Sequence, residues 1–166
     1  MTGVLGVGPA PGARRLAPRW APGVDRVVAL GFEPLPWPSG SLDQVIDTGE
    51  LACLPVSVWR RVLYDDAAGR DRVEATVWRP RLYLLGEIWR VLAPDGLLVA
   101  AEPAAAPAWG TDPRHDSPAW TEGAWRAYCG ADPAARAWGL PGAWTLVETT
   151  WAGGVCRAVL RKGAAG

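Results

Sequence analysis

The segment from Arg79 to Pro103, RPRLYLLGEIWRVLAPDGLLVAAEP, constrains the fold more than any other part of the chain. Its apolar residues first recur at steps of three and four, which predicts a helix over residues 81–92 with one apolar face. The sequence Pro94-Asp95-Gly96 then predicts a turn. The run LLVAA at 97–101 has no polar alternation, as expected of a strand covered on both faces. A helix leading into such a strand is typical of a crossover in a parallel sheet, so we predict an α/β fold.

The rest of the chain alternates between predicted strands and predicted helices. The pair Gly153-Gly154 predicts the turn of a hairpin that spans residues 144–162. Strands 42–47 and 97–101 are predicted to be parallel neighbours or near-neighbours in one sheet. Further strands are predicted at residues 3–8 and 24–30, and further helices at residues 55–75 and 121–129. Residues 13–23 could form a helix of at most two turns, because Pro18 and Pro22 would end it.

Composition and charge exclude several classes of function. The 166 residues carry seventeen basic and seventeen acidic side chains, so no net field attracts nucleic acid or an anionic membrane. The three cysteines are too scattered for a disulfide framework or a metal site. No signal peptide or membrane-spanning run is recognisable. We therefore expect a cytoplasmic protein that binds neither nucleic acid nor membranes and uses no metal.

The length fits one domain over residues 1–166. Residues 1–23 form its glycine-rich start. Proline, glycine and aspartate make residues 104–120 a candidate lid loop. Residues 163–166 are expected to be a frayed tail.

Two phrases carry a resemblance to a known family. They are LPWPSGSLDQVIDTGELACLP at 35–55 and LLGEIWRVLAPDGLLVAAEP at 84–103. Together they resemble the middle of class I S-adenosylmethionine-dependent methyltransferases of the small-molecule type, similar to methyltransferase type 11. The resemblance implies a Rossmann-like, mostly parallel sheet with a C-terminal antiparallel hairpin. It also implies S-adenosylmethionine as cofactor and methyl transfer to a small-molecule acceptor.

The resemblance also implies a site at the carboxyl ends of the strands, where open α/β sheets bind ligands. Asp47 ends its strand there and would hold the cofactor's ammonium or take a proton from the acceptor. The loop around Trp37 is expected to form one wall of this crevice, with packing on the sheet as the alternative role for Trp37. The candidate catalytic residues are Asp47 and, in reserve, Glu50, and the candidate cofactor contacts are Gly6, Gly8, Pro9, Leu30, Gly31, Phe32 and Asp47.

The start of the chain departs from the family pattern. Gly6 stands where the family has an acid, and Ala10 stands where it has a glycine. Residues 9–23 are too few for the usual helix, strand and helix. We therefore expect a shortened domain, truncated near the second strand, with an incomplete sheet edge. The proline-rich segment 9–23, a homodimer or another protein partner could cover this edge. The degenerate motif keeps a second function open, a non-catalytic methyltransferase-like scaffold that has lost its cofactor and acts through protein contacts.

Overall fold

A computed structural model of the chain describes residues 1–5, 14–17, 26–54, 58–65, 71–103, 122–129 and 144–163. Within these ranges, none of the helices is long and apolar enough to span a bilayer. The elements in chain order are β1 (Thr2–Leu5), β2 (Arg14–Ala17), β3 (Arg26–Val27), β4 (Leu42–Asp47), α1 (Glu50–Cys53), β5 (Val58–Asp65), β6 (Asp71–Trp78), α2 (Pro80–Val91), β7 (Leu92–Pro103), α3 (Glu122–Tyr128), β8 (Trp144–Ala152) and β9 (Val155–Lys162).

Seven of the described strands form one mixed sheet in the order β3-β2-β1-β4-β7-β9-β8. The five strands from β3 to β7 pair in parallel, and β9 and β8 pair antiparallel at the other side. If only the strands of this sheet are numbered, its first five follow the order 3-2-1-4-5 of doubly wound nucleotide-binding folds. The predicted α/β class, mostly parallel with a C-terminal hairpin, is confirmed.

The segment from α2 to β7 folds as its apolar pattern predicts. The side chains of Leu84, Leu85, Ile88 and Val91 recur at helical steps on one face of α2 and are fully buried. The chain then turns at Asp95, whose φ is 60°, and continues along β7. In this strand Leu98 and Ala100 are fully buried on one face, and Leu97, Val99 and Ala101 are half-buried on the other. There β7 pairs in parallel with β4, as predicted. This crossover forms the centre of the core, because β4 and β7 are central strands of the sheet.

The C-terminal hairpin and the short third helix are also confirmed. Strands β8 and β9 pair antiparallel. Gly153 and Gly154 connect them with φ values of 58° and 77°, the left-handed conformation that a two-residue hairpin turn requires at both positions. Helix α3 places Trp125, which is fully buried, in the same core as Cys156 of β9. The hairpin therefore completes the antiparallel side of the sheet.

Two predicted helices are wrong. The predicted helix 55–75 is replaced by two strands, β5 at 58–65 and β6 at 71–78. They pair antiparallel and form a separate two-stranded sheet. Each run has two valines and one tryptophan, with a tyrosine in the first and a threonine in the second, and these side chains favour extended backbone over helix. Residues 14–17, within the predicted helix 13–23, form strand β2.

The expected incomplete edge beside β1 is wrong. Strand β2 pairs in parallel with β1, and β3 pairs in parallel with β2. A second strand fits into the short segment because β2 has only four residues and β3 only two. The edge strand of this side is therefore very short, which is one way in which proteins limit unwanted strand pairing. An open edge at β1 for a homodimer or another protein is absent from the described sheet.

A clamp of two side chains from α2 holds the loop 35–40 in place. Arg90 binds Glu87 with two hydrogen bonds, from Nε to Oε1 at 2.9 Å and from Nη2 to Oε2 at 2.7 Å. The same guanidinium donates to the carbonyls of Leu35 at 2.8 Å and Trp37 at 3.0 Å, and Glu87 accepts the Leu35 amide at 2.8 Å. The Arg90 guanidinium lowers the pKa of Glu87, and Glu87 raises the pKa of Arg90. The EIWR phrase therefore has a structural role, since it fixes the proline-rich loop.

The loop 35–40 lies at the amino ends of the strands, so its expected place at the carboxyl ends is wrong. Trp37 is only 5% exposed. Its ring packs on Gly3, where an added Cβ would come within 2.9 Å of both Trp37 and Leu42. The Gly40 amide donates to the carbonyl of Arg90, at the end of α2. A loop that leads into β4 must meet that strand at its amino end. Trp37 therefore packs on the sheet and does not line the crevice.

Candidate functional site

The carboxyl ends of β1, β4 and β7 meet on the side of the sheet opposite the loop 35–40. Leu5 pairs with Asp47 between β1 and β4, and Asp47 pairs with Ala100 between β4 and β7. Glu102 follows two residues later on β7. These strand ends bring two carboxyl groups from distant parts of the sequence to the place where open α/β sheets bind ligands.

Asp47 is fully buried, and its carboxylate holds the start of α1. Oδ1 accepts the amide of Glu50 at 3.2 Å, and Oδ2 accepts the amide of Leu51 at 3.3 Å. The first amides of a helix have no partner within the helix, so a carboxylate in this position stabilises it. Burial raises the pKa of Asp47, whereas the hydrogen bonds from Glu102 and from the α1 backbone favour its ionised form. Asp47 is thus a buried helix cap.

Glu102 is also fully buried and lies beside Asp47. Its Oε2 accepts the amide of Ala52 in α1 at 2.8 Å. No N–H donor reaches its Oε1. Burial, followed by the negative charge of Asp47, raises the pKa of Glu102 to about 11. Two buried carboxylates in contact cannot both stay ionised. We therefore assign the shared proton to Glu102, which hydrogen-bonds Asp47.

Arg81 of α2 completes the group of side chains around α1. It is 2% exposed. Its Nε donates to the carbonyl of Leu54 at 2.7 Å, and its Nη2 donates to the carbonyl of Ala52 at 3.2 Å. Its positive charge lowers the pKa of Glu102 and thus opposes the effect of burial. We call Asp47, Glu102 and Arg81 the α1 anchor, because together they bind both ends of this four-residue helix.

Thr48 follows directly after the buried acid and is exposed. Its amide and its hydroxyl both donate to the carbonyl of Leu5, at 3.2 and 3.0 Å. Thr48 is therefore fixed where β1 ends and the glycine-rich segment begins. Glu50, the reserve candidate, lies half-buried in the first turn of α1. The structure thus brings Asp47, Thr48 and Glu50 together at one edge of the sheet.

The turn at residues 30–32 lies next to α1. Leu30 is 3% exposed and belongs to the core, whereas Phe32 is 51% exposed. Gly31 has a φ of 80°, and a Cβ added there would approach Pro80 Cβ to 2.8 Å and Leu54 Cδ1 to 3.0 Å. Leu54 follows α1 directly, so the turn 30–32 and the stretch 47–50 belong to the same end of the sheet. Gly6, Gly8, Pro9 and the candidate lid loop 104–120 lie outside the described residues.

The contacts of Gly31 give a testable prediction. Gly31→Ala is expected to lower the free energy of unfolding by about 2–4 kcal/mol, because it combines a left-handed backbone with overpacking against Pro80 and Leu54. Gly40→Ala is the matched control. Gly40 also has a left-handed φ, 67°, but open space for a Cβ, so we expect a loss of about 1 kcal/mol. Urea unfolding of both variants measures the difference. Equal losses would show that Gly31 is not closely packed.

The sequence did not identify three residues of this region as site residues. Glu102 stands in the quoted phrase ending in Glu-Pro, so its position at a strand end was a usable signal. Thr48 follows a predicted strand end in the same way. Nothing in the sequence marks Arg81 as a buried residue, because an arginine on a helix usually points to solvent. Only the fold shows its burial.

Comparisons with known proteins identify the fold. No protein-family model and no curated protein sequence matches the chain. Among solved structures, it is similar to a candidate methyltransferase in complex with the Haloferax volcanii Trm112 methyltransferase activator, with 15% identity, a TM-score of 0.54, and coverage of 98% of this chain and 82% of the other. It is similarly related to a candidate sarcosine dimethylglycine methyltransferase from Galdieria sulphuraria, with 12% identity, a TM-score of 0.51, and coverage of 98% and 78%.

A third similar structure concerns the conversion of a disulfide bond into a thioacetal group during echinomycin biosynthesis. It shows 10% identity and a TM-score of 0.54, with coverage of 98% of this chain and 75% of the other. At these identities the likeness concerns the fold alone. The chain has the Rossmann-like fold of methyltransferases.

Proposed function

We propose that this protein transfers a methyl group from S-adenosylmethionine to a small-molecule acceptor. The observation that carries the proposal is the meeting of the turn 30–32 and the stretch 47–50 at the carboxyl edge of a sheet shared with methyltransferases. This is the edge at which such sheets bind nucleotides. An exposed aromatic ring and polar groups at one edge suit a ligand that has both a purine and an amino acid part.

The described residues fit such a cofactor at its adenosine end. Phe32 offers a ring that is half exposed, and aromatic rings bind purines by stacking. Leu30 would support this wall from the core and would not touch the base. The turn itself needs Gly31, because a side chain there would collide with Pro80 and Leu54. Gly6, Gly8 and Pro9 are proposed for the methionyl end, where absence of a Cβ allows the backbone to approach a ligand.

The reacting end is proposed to lie at Thr48 and Glu50. When bound, S-adenosylmethionine supplies a methyl group activated by its positive sulfur. The protein's part is then mainly to hold donor and acceptor close and in line. The Glu50 carboxylate at the start of α1 would accept a proton from the acceptor or bind the cofactor's ammonium. Asp47 would act through α1, because its own carboxylate is buried and faces the amides of Glu50 and Leu51.

Calorimetric titration with S-adenosylhomocysteine tests the proposal. We expect saturable binding by the wild type in the micromolar range, and binding about tenfold weaker by Phe32→Ala, since a stacked base contributes roughly 1–3 kcal/mol. Trp151→Ala is the matched control, because Trp151 is 49% exposed on the distant β8 edge, and it should bind as the wild type does. No binding at millimolar ligand would sink the proposal and leave the non-catalytic scaffold. Equal affinity of wild type and Phe32→Ala would remove Phe32 from the site.

A further inference from the structure

Helix α1 depends on its surroundings for its position. It spans only Glu50–Cys53, and a helix of one turn is not stable alone in water. Its first residue is Glu50, at the candidate site. Whatever fixes α1 therefore also fixes the Glu50 carboxylate proposed to meet the reacting end of the cofactor.

We propose that Glu102 is a positioning residue, which holds α1 and so places Glu50 for cofactor binding. This inference rests on the proposed function. Glu102 stands on β7, two residues past the pairing of β7 with β4, and reaches across to the Ala52 amide at 2.8 Å. Asp47 binds the preceding two amides of α1 from β4. Three successive amides of α1 are thus bound by buried carboxyl groups from two strands.

Glu102 holds α1 best in its protonated form. Its Oε2 accepts the Ala52 amide, and one proton on the pair allows a hydrogen bond with Asp47. Among the described residues, it is faced by the Asp47 carboxylate from β4, the Arg81 guanidinium from α2, the α1 backbone and Cys156, its ladder partner on β9. With one proton on the pair, the charges of Asp47 and Arg81 balance. A second negative charge would repel Asp47 and weaken the bonds that hold α1.

Two variants separate this role from simple packing. Glu102→Gln keeps an acceptor for Ala52 and a donor to Asp47, and it has no proton to lose. Glu102→Leu keeps the volume and removes both bonds. Circular dichroism checks that each variant is folded, and S-adenosylhomocysteine binding is measured by calorimetry from pH 7 to pH 11.

At pH 7 we expect Glu102→Gln to bind within about threefold of the wild type and Glu102→Leu to bind at least about tenfold more weakly. Between pH 9 and pH 11 the wild type should lose affinity and Glu102→Gln should keep it. Identical pH profiles for wild type and Glu102→Gln, or unchanged binding by Glu102→Leu, would overturn the inference.

Amide hydrogen exchange tests the positioning role of Glu102 independently of the proposed function. Exchange at Ala52 should be faster in Glu102→Leu than in the wild type and unchanged in Glu102→Gln, with no cofactor present. If the wild type fails to bind S-adenosylhomocysteine, the proposed function fails, and with it the link from α1 to cofactor binding. If the wild type binds but Ala52 exchanges at the same rate in all three proteins, only the positioning role of Glu102 fails.

Discussion

Replacing Glu102 by glutamine is expected to make the protein more stable than the wild type at neutral and alkaline pH. In the folded protein, burial and the charge of Asp47 raise the pKa of Glu102 from its ordinary 4.5 to about 11. In the unfolded chain this side chain is ionised above pH 4.5. Between these values the folded state therefore holds one more proton than the unfolded state, and a rise in pH favours unfolding. The glutamine variant has no such proton.

The size of this effect follows from proton linkage. One extra proton in the folded state lowers the folding equilibrium constant by about tenfold per pH unit. Urea unfolding of the wild type and of Glu102→Gln at pH 6, 7, 8 and 9 should give a stability difference that grows at about this rate in favour of the variant. Glu148→Gln, an exposed residue of β8, controls for the loss of a charge. A difference independent of pH would contradict the assignment of a proton to Glu102.

Removing the guanidinium of Arg90 is also expected to have a large effect on stability. Arg90→Met loses the paired bonds to Glu87 and the bonds to the carbonyls of Leu35 and Trp37. It also leaves Glu87, a largely buried carboxylate, without its cation. We expect the free energy of unfolding to fall by about 2–4 kcal/mol. Arg90→Lys should recover little, because an ammonium cannot form the same fork of bonds.

Urea unfolding measures this loss. Arg157→Met is the control, since Arg157 is an exposed arginine of β9 and its change should stay within about 0.5 kcal/mol. A loss of that small size for Arg90→Met would show that the Arg90 guanidinium is not needed to hold the loop 35–40.

The sequence predicted the elements whose signals are local. The periodicity of α2, the unbroken apolar run of β7 and the two glycines between β8 and β9 each act within a few residues, and all three were read correctly. The helix predicted for residues 55–75 is wrong because the residue types of β5 and β6 favour extended backbone and the two runs pair with each other. The position of the loop 35–40 could have been derived from strand direction alone, since a loop that precedes a parallel strand lies at its amino end.

The candidate site was predicted only in part, because its main contacts are not local. Asp47 was singled out by its place at a strand end, and the structure puts it beside Glu50 as a helix cap. The bonds from Glu102 and Arg81 to α1 cross 50 and 29 positions of sequence. No periodicity or motif encodes such partners. They become visible only when the parallel order of β4 and β7 is known.

A crystal structure of the wild-type protein with bound S-adenosylhomocysteine tests most directly whether the carboxyl edge of the sheet holds the cofactor. We predict electron density for the adenine against Phe32 and for the amino acid part beside residues 6–9 and Glu50, with α1 in place over Asp47 and Glu102. Density at the amino ends of the strands beside Trp37, or no density at millimolar ligand, would contradict the proposed site.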